Sequence, residues 1–531
     1  MKLHQARWLC RELGRARAMT GPSIGTILDR TARRFGDKPA IVCGGSSISF
    51  AELGVRSSKV AAWLYSIGVG PGHRVALIRD PGIEFVEDEF GIYKAGCAEV
   101  ALNPRFTVHE KLRMLRFAEP TVVLIDERYR DLAQEVGMLP SVRAVVVGEE
   151  RERALASAGF VHEDESQAGD DLLWRLHFSS GSTGMPKAAA LTHRNFIASI
   201  ASYRAAVGGI SSDEILLNAA PLVTAGGWAL WTHVVAGCTC VLLPRFAAES
   251  YVDSVARHGA TTSLLVPTML SDLVTVDVSP AAGLLRTVLY TASAISAPVL
   301  DAALEKFGPI FVQSYSMSET MSALSVLGRK DHLDPDPAIR KSAGFPAWEV
   351  DIRTVGDDGR PTEIGEPGRI VIRTESMMRE YWREPDLTAE TIRDGWLYSN
   401  DVGTLDERGR LFVLDRSDDV VITSGFNVYP REVEDVLARH PAVKDVAIVG
   451  RSEPRVGQIV IACVQLRDSS VTDQQLIDFT REFLATYKVP REIHRHDSGL
   501  PRNPAGKILR RQLRQEAAGQ PTGCDSEVRS V

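Results

Sequence analysis

Residues His177 to Phe196 read HFSSGSTGMPKAAALTHRNF. The stretch before the loop, LLWRLHF (Leu172–Phe178), has the composition of a strand, and NFIASIASYRAAV after it reads as a helix with Thr192 placed to cap it. Between them stand Ser179, Ser180, Gly181, Ser182, Thr183, Gly184, Met185, Pro186 and Lys187. Glycines let backbone N–H groups turn toward an anion, hydroxyls add donors, and a lysine adds charge. This is the inventory of a phosphate loop. It departs from the Walker pattern, which wants a glycine before the lysine and a hydroxyl residue after it. Here Pro186 precedes Lys187 and Ala188 follows it, which disfavours a P-loop ATPase.

The rest of the chain fits a large α/β protein. Its 531 residues, 44% hydrophobic and 24% charged, allow about three domain-sized units and a sizeable core. A net charge of -7 argues against nucleic acid or an anionic membrane as the main partner. The seven cysteines, Cys10, Cys43, Cys97, Cys238, Cys240, Cys463 and Cys524, form neither a disulfide framework nor a zinc pattern, so a reducing cytoplasm is expected. No apolar run reaches the roughly 18 residues that span a bilayer. The arginine-rich start MKLHQARWLCRELGRARAMT carries Glu12 and no apolar core, and reads as a surface extension.

Short apolar runs alternate with helical spacing: HRVALIRD (His73–Asp80), PTVVLIDE (Pro120–Glu127), VRAVVVG (Val142–Gly148) and TTSLLVP (Thr261–Pro267) as strands, VHEKLRMLRFA (Val108–Ala118) as a helix. That pattern implies layered α/β subdomains with mostly parallel sheets. From about Val350 the runs are broken by Asp-Gly and Pro-Gly turns, the texture of a β-rich lobe. Beyond Arg416 a helix after Pro430, the strands VKDVAIVG and QIVIACVQL and the helix DQQLIDFTREFLATY describe a small α+β domain, ending in a polar tail from about Gln515. The expected organisation is a large N-terminal domain, residues 1–415, that binds nucleotide and acyl group, and a small mobile C-terminal lid, residues 416–531.

Taken with four further segments in order, the loop resembles the signature of the adenylate-forming enzymes: acyl- and aryl-CoA synthetases, peptide-synthetase adenylation domains and luciferases. VQSYSMSET (Val312–Thr320) resembles the second signature, DGWLYSND (Asp394–Asp401) the ribose segment, LDRSDDVVITSGFNVYPREVE (Leu414–Glu434) the hinge and the loop beyond it, and LPRNPAGKILRR (Leu500–Arg511) the C-terminal motif. The resemblance covers about Pro22 to Arg514. It implies that Tyr315 stacks on adenine, that Asp401 and Arg416 reach the ribose, and that Asp418 lies at the hinge. It also implies that Glu319 and Thr183 hold magnesium, that Lys187 orients pyrophosphate, and that Lys507 is the catalytic lysine. Ser179, Ser180, Gly181, Ser182, Gly184, Ala292, Ser293, Ser318 and Gly425 fall at further nucleotide or thiol contacts. Val223, Thr224, Gly226, Trp228, Ser314 and Ser316 fall at the acyl pocket.

By that resemblance the chain is an ATP-, Mg2+- and CoA-dependent acyl-CoA synthetase acting on a small-molecule carboxylic acid. The alternative is an adenylating enzyme that serves a separate acyl carrier protein or performs one half-reaction. A non-catalytic nucleotide-binding regulator would be expected to lack Lys507, Glu319 or Asp401, and all three are present. Departures concern the acyl side. Val223 and Thr224 stand where an aromatic and a histidine are common, which suggests a wide pocket for an apolar, bulky acid. Ser316, Ala292, Ala188, Glu380 and Asn400 each replace a common glycine. Trp228 and Trp231 fit the core or the pocket border equally, Cys238 and Cys240 read as residues of a buried strand, and His193 reads as structural.

Overall fold

The computed structural model describes residues 22–159, 170–179, 187–293, 295–416, 418–423, 426–503 and 506–519. The arginine-rich start, the loop residues Ser180, Gly181, Ser182, Thr183 and Gly184, and Gly425 lie outside them.

Two large sheets carry the N-terminal part. The first has seven strands in the order Glu380–Tyr381, Lys187–Thr192, Leu173–Ser179, Ala98–Ala101, Arg74–Ile78, Val122–Ile125 and Ala144–Val147. Its last five strands run parallel. The second has nine strands and includes Phe311–Tyr315, Thr287–Tyr290, Thr262–Leu265 and Ile215–Asn218, again parallel. Strands this apolar are buried on both faces, and helices supply the cover. Helices Ile83–Lys94, His193–Ala206 and Ala225–Ala236 contribute to the largest core, where Trp174 stacks on Phe196 at 4.0 Å and Trp231 meets Phe90 at 4.2 Å. Trp231 is therefore a core residue. Cys240 lies fully buried in the strand Thr239–Leu242, with Cys238 buried just before it.

The β-rich lobe is a five-stranded antiparallel sheet built from Asp351–Val355, Gly368–Arg373, Ile392–Arg393, Trp396–Leu405 and Leu411–Arg416. A second five-stranded sheet, from Val421–Thr423 to Glu492–Arg495, belongs to the C-terminal part, with helices Pro430–Leu437, Asp473–Arg481 and Arg510–Ala517 around it. The last helix runs past Gln515. Leu513 and Ala517 are buried, so burial orders what composition alone reads as a frayed tail. No helix among the described residues is long and apolar enough to cross a membrane.

One local difference matters for the site. A strand, Lys187–Thr192, intervenes between the signature loop and the following helix, and it pairs antiparallel with Leu173–Ser179 in a register that sets Ser179 opposite Lys187. The strands on either side of the loop therefore pair with each other, and the helix begins only after the second of them. The alanines of KAAALT carry little strand propensity, and pairing on both sides, with Glu380–Tyr381 on the other, overrides it. Thr192 does cap the helix: its hydroxyl accepts from Asn195 N, and the Asn195 side chain returns to Thr192 N.

Candidate active site

A cleft of about 1120 Å3 lies where the N-terminal sheets, the β-rich lobe and the C-terminal part meet. Its residues come from strand ends and the loops after them, where a parallel sheet leaves room for ligands.

Tyr315 is not among the residues that line the cleft; it ends its strand just before Ser316, which does, and donates its hydroxyl to Asp401 Oδ2 at 2.5 Å. Burial, and then the Asp401 carboxylate, hold this phenol well above its ordinary pKa, so it stays a donor. Strand pairing sets Asp401 opposite Arg416, whose Nε lies 3.7 Å from Asp401 Oδ1. Asp401 N donates to Ser399 Oγ, and the Ser399 carbonyl accepts from Arg369 Nε at 2.6 Å, which fixes the turn of chain carrying the aspartate. Three residues beyond Ser316, Glu319 is held twice: its carbonyl accepts from Met378 N at 2.7 Å, and its Oε1 accepts from the Tyr381 hydroxyl at 2.6 Å. Burial and the glutamate raise the Tyr381 phenol, so it too remains protonated. The other oxygen, Oε2, takes no hydrogen bond from the described residues.

Lys187 lines the same cleft from the hairpin, as do Ala292 and Ser318. Ala292 has φ +77°, the left-handed region that a Cβ resists. Ser293 beside it is exposed, and Ser179 lies on the paired edge of the hairpin. Lys507 enters from the C-terminal part. Its loop is tied by Lys507 N donating to Asn503 Oδ1 at 2.9 Å and by Asn503 N donating to the Lys507 carbonyl at 2.8 Å. The next residue back, Gly506, approaches Thr268 of the N-terminal part: a Cβ there would lie 3.8 Å from its Oγ1. Solvent still reaches Lys507, yet crowding pulls its ammonium down to about 8. Desolvation is the main cause and Arg416 adds repulsion, against the attraction of Asp401 and Asp419.

The opposite wall is formed by Val223, Thr224 and Trp228. The Trp228 indole donates to the Ser199 carbonyl and meets Tyr203 edge-on at 4.7 Å, so it borders the cleft with a fixed ring. Thr224 turns its hydroxyl to the Pro221 carbonyl at 3.2 Å. Gly226 stands behind this wall. A Cβ on it would lie 2.3 Å from the Ala220 carbonyl oxygen, so its role in the structure is to let the loop close onto the helix. Ser316 lines the cleft and contacts Thr291 Oγ1 at 2.9 Å, while Ser314 is buried and offers its carbonyl to the same threonine. His177 also lines the cleft, and burial with nearby Arg175 lowers it to about 3, so its ring is neutral. His193 is buried, and its Nδ1 accepts from Ile24 N at 3.2 Å, a structural tie.

Sequence reasoning missed Tyr381, Asn503 and Thr291, each of which positions a residue it did name. Their only sequence signal is adjacency: Tyr381 follows Glu380, and Asn503 opens the segment that ends in Lys507.

Compared with known proteins, residues 28–382 match the AMP-binding enzyme family, and residues 432–507 match the AMP-binding enzyme C-terminal domain. A fatty acid–[acyl-carrier-protein] ligase, ScoC, of Streptomyces coeruleorubidus is 32% identical over 515 residues, 94% of this chain and 98% of that protein. A feruloyl-CoA synthase of an Amycolatopsis species is 33% identical over 505 residues, 94% and 99% of the two chains. The structure of o-succinylbenzoate CoA synthetase (MenE) from Bacillus subtilis, in complex with the acyl-adenylate intermediate OSB-AMP, superposes with a TM-score of 0.82 at 29% identity, covering 92% of this chain and 97% of that one.

Proposed function

The chain belongs to the AMP-binding enzyme family, and from that premise we propose that it is an AMP-forming acid–thiol ligase: it joins a carboxylic acid to AMP with release of pyrophosphate, then passes the acyl group to CoA. The observation that carries the reading is convergence. Lys507 of the C-terminal part lines one cleft with Lys187, Glu319 and Asp401 of the N-terminal part and with Arg416 at the boundary between them.

Adenylation brings an anionic carboxylate to an anionic triphosphate, so cationic groups and positioning do most of the work. In this reading Asp401 and Arg416 take the ribose hydroxyls, with Tyr315 bracing Asp401 and presenting its ring to adenine. Lys187 and the signature loop hold the outer phosphates. Lys507 sits against the attacking carboxylate and the α-phosphate. A carboxylate is already ionised at about pH 7, so no general base is needed. Glu319 suits a magnesium ion, since one carboxylate oxygen is anchored by Tyr381 and the other takes no hydrogen bond among the described residues, with Thr183 as the expected second ligand. When bound, the ion neutralises phosphate charge. The acyl-adenylate is destroyed by water, and a lid unit starting near residue 416, carrying Lys507, would both shield it and later withdraw.

A second reading, with a carrier protein as thiol, is favoured by the 32% identity to a protein named as a fatty acid–[acyl-carrier-protein] ligase. Incubation with ATP, magnesium, CoA and a pool of fatty, aryl and polycyclic acids, followed by mass spectrometry, tests both. An acyl-CoA product supports the first. Acyl-AMP that accumulates without thioester supports the second. No adenylate with any acid removes both.

A further inference from the structure

Resting on the adenylation reading, we infer that Ser316 selects acids that carry a hydroxyl or amine hydrogen close to the carboxyl group. Thr291 is buried at 1% exposure, and its Oγ1 lies 2.9 Å from the Ser314 carbonyl oxygen and 2.9 Å from Ser316 Oγ. A carbonyl can only accept, so the contact to Ser314 uses the threonine's single hydroxyl hydrogen. The contact to Ser316 must then use the serine's hydrogen. The relay has one direction: Ser316 donates to Thr291, and Thr291 donates to the Ser314 carbonyl.

The consequence appears at the cleft. Ser316 Oγ has spent its only hydrogen on the protein and shows the ligand lone pairs alone. It is an acceptor, and the half-buried wall around it limits replacement by water. A ligand donor placed there gains a hydrogen bond. A ligand ether or carbonyl oxygen at the same place meets lone pairs and leaves both partners unpaired, which is the costlier outcome. The nucleotide has a better acceptor for its ribose hydroxyls in the Asp401 carboxylate, while Met317 and Met321 on the same turn bring in the apolar wall. The donor that Ser316 serves therefore belongs to the acid. Lys507, read as lying against the attacking carboxylate, lines the same cleft, and Ser316 stands three residues before Glu319, the group read as holding the metal at the reacting phosphates, so we place that donor next to the carboxyl group.

The test uses the full chain and matched acids on whichever skeleton, alkyl or aryl, releases pyrophosphate in its unsubstituted form. Each acid is supplied as its 2-hydroxy, 2-methoxy and, for alkyl skeletons, 2-oxo derivative. The native chain is expected to favour the hydroxy over the methoxy acid by about tenfold in kcat/KM, the size of one neutral hydrogen bond and its mismatch. In Ser316→Ala that ratio should collapse toward one. In Thr291→Val the serine recovers its hydrogen and can donate, so the ratio should fall and acceptor-only acids should gain. A ratio near one in the native chain, or a ratio unchanged in Ser316→Ala, overturns the inference. So does an equal loss on every acid with the ratio intact, which would put Ser316 on the nucleotide. Pyrophosphate release with no acid at all would sink the adenylation reading itself, and the selectivity claim with it.

Discussion

The perturbed ammonium of Lys507 gives the proposed chemistry a pH signature. Its pKa is lowered from an ordinary lysine value to about 8, so the free enzyme holds the cation below that pH and loses it as pH rises through it. Adenylation needs the charged form. Above about pH 8 the charged fraction falls roughly tenfold per unit, and kcat/KM for ATP in pyrophosphate exchange should fall with it. Bound triphosphate is anionic and favours the ammonium, so the same limb should lie higher in kcat than in kcat/KM. The causes are separable. Asp419 raises the lysine, so Asp419→Asn should move the kcat/KM limb down. Lys507→Ala should abolish the limb and cost about 10²–10³-fold in adenylation, the usual loss for one aimed charge-stabilising group. A native kcat/KM profile flat from pH 7 to 9.5, or adenylation unchanged in Lys507→Ala, would refute the assignment.

Three further outcomes follow from single contacts. Tyr381→Phe removes the hydroxyl that braces Glu319 Oε1 and should lower kcat/KM for ATP about tenfold, with more magnesium needed for half-maximal rate; an unchanged magnesium titration counts against the bracing role. Ala292→Gly releases a Cβ from φ +77° and should stabilise the fold by about 1 kcal/mol, read as a shift in urea midpoint; lower stability would show that the methyl packs better than it strains. Arg175→Met strips the cation from the fully buried Glu89 and Glu99 and should cost about 3–5 kcal/mol in the same assay, with a loss below 1 kcal/mol as the contrary result.

What the sequence carried was local. The helix Val108–Ala118 lies where its spacing placed it, with Thr107 and Glu110 closing a capping box at its start. The charged groups that line the cleft, Lys187, Glu319, Asp401, Arg416 and Lys507, sit in short motifs that can be read in order along the sequence. What escaped was long-range. Tyr381 and Glu319 are 62 residues apart, and no window contains both. In the helix Ile83–Lys94, Glu87, Asp88 and Glu89 are all buried. Their counter-ions Arg56, Arg79, Arg151 and Arg175 come from four separate elements. Charge in a sequence argues for solvent, and only the fold reveals that the partners are paired inside. The hairpin strand Lys187–Thr192 was hidden for a related reason: alanines announce no strand until two neighbours pair with them.

In the proposed mechanism the same electrostatics would order the two half-reactions. Lys507 occupies a crowded position beside Arg416, a place that disfavours its charge. Triphosphate and carboxylate offset that cost while they are bound. Once adenylation is complete, pyrophosphate departs with most of the negative charge, and the mixed anhydride left behind keeps a single negative charge, on its α-phosphate. The lysine then faces Arg416 with far less anion between them, while Gly506 of its loop lies close to Thr268 of the N-terminal part. In this proposed mechanism the product of the first step would favour withdrawal, so the lid would open for the thiol only after there is an acyl group to transfer.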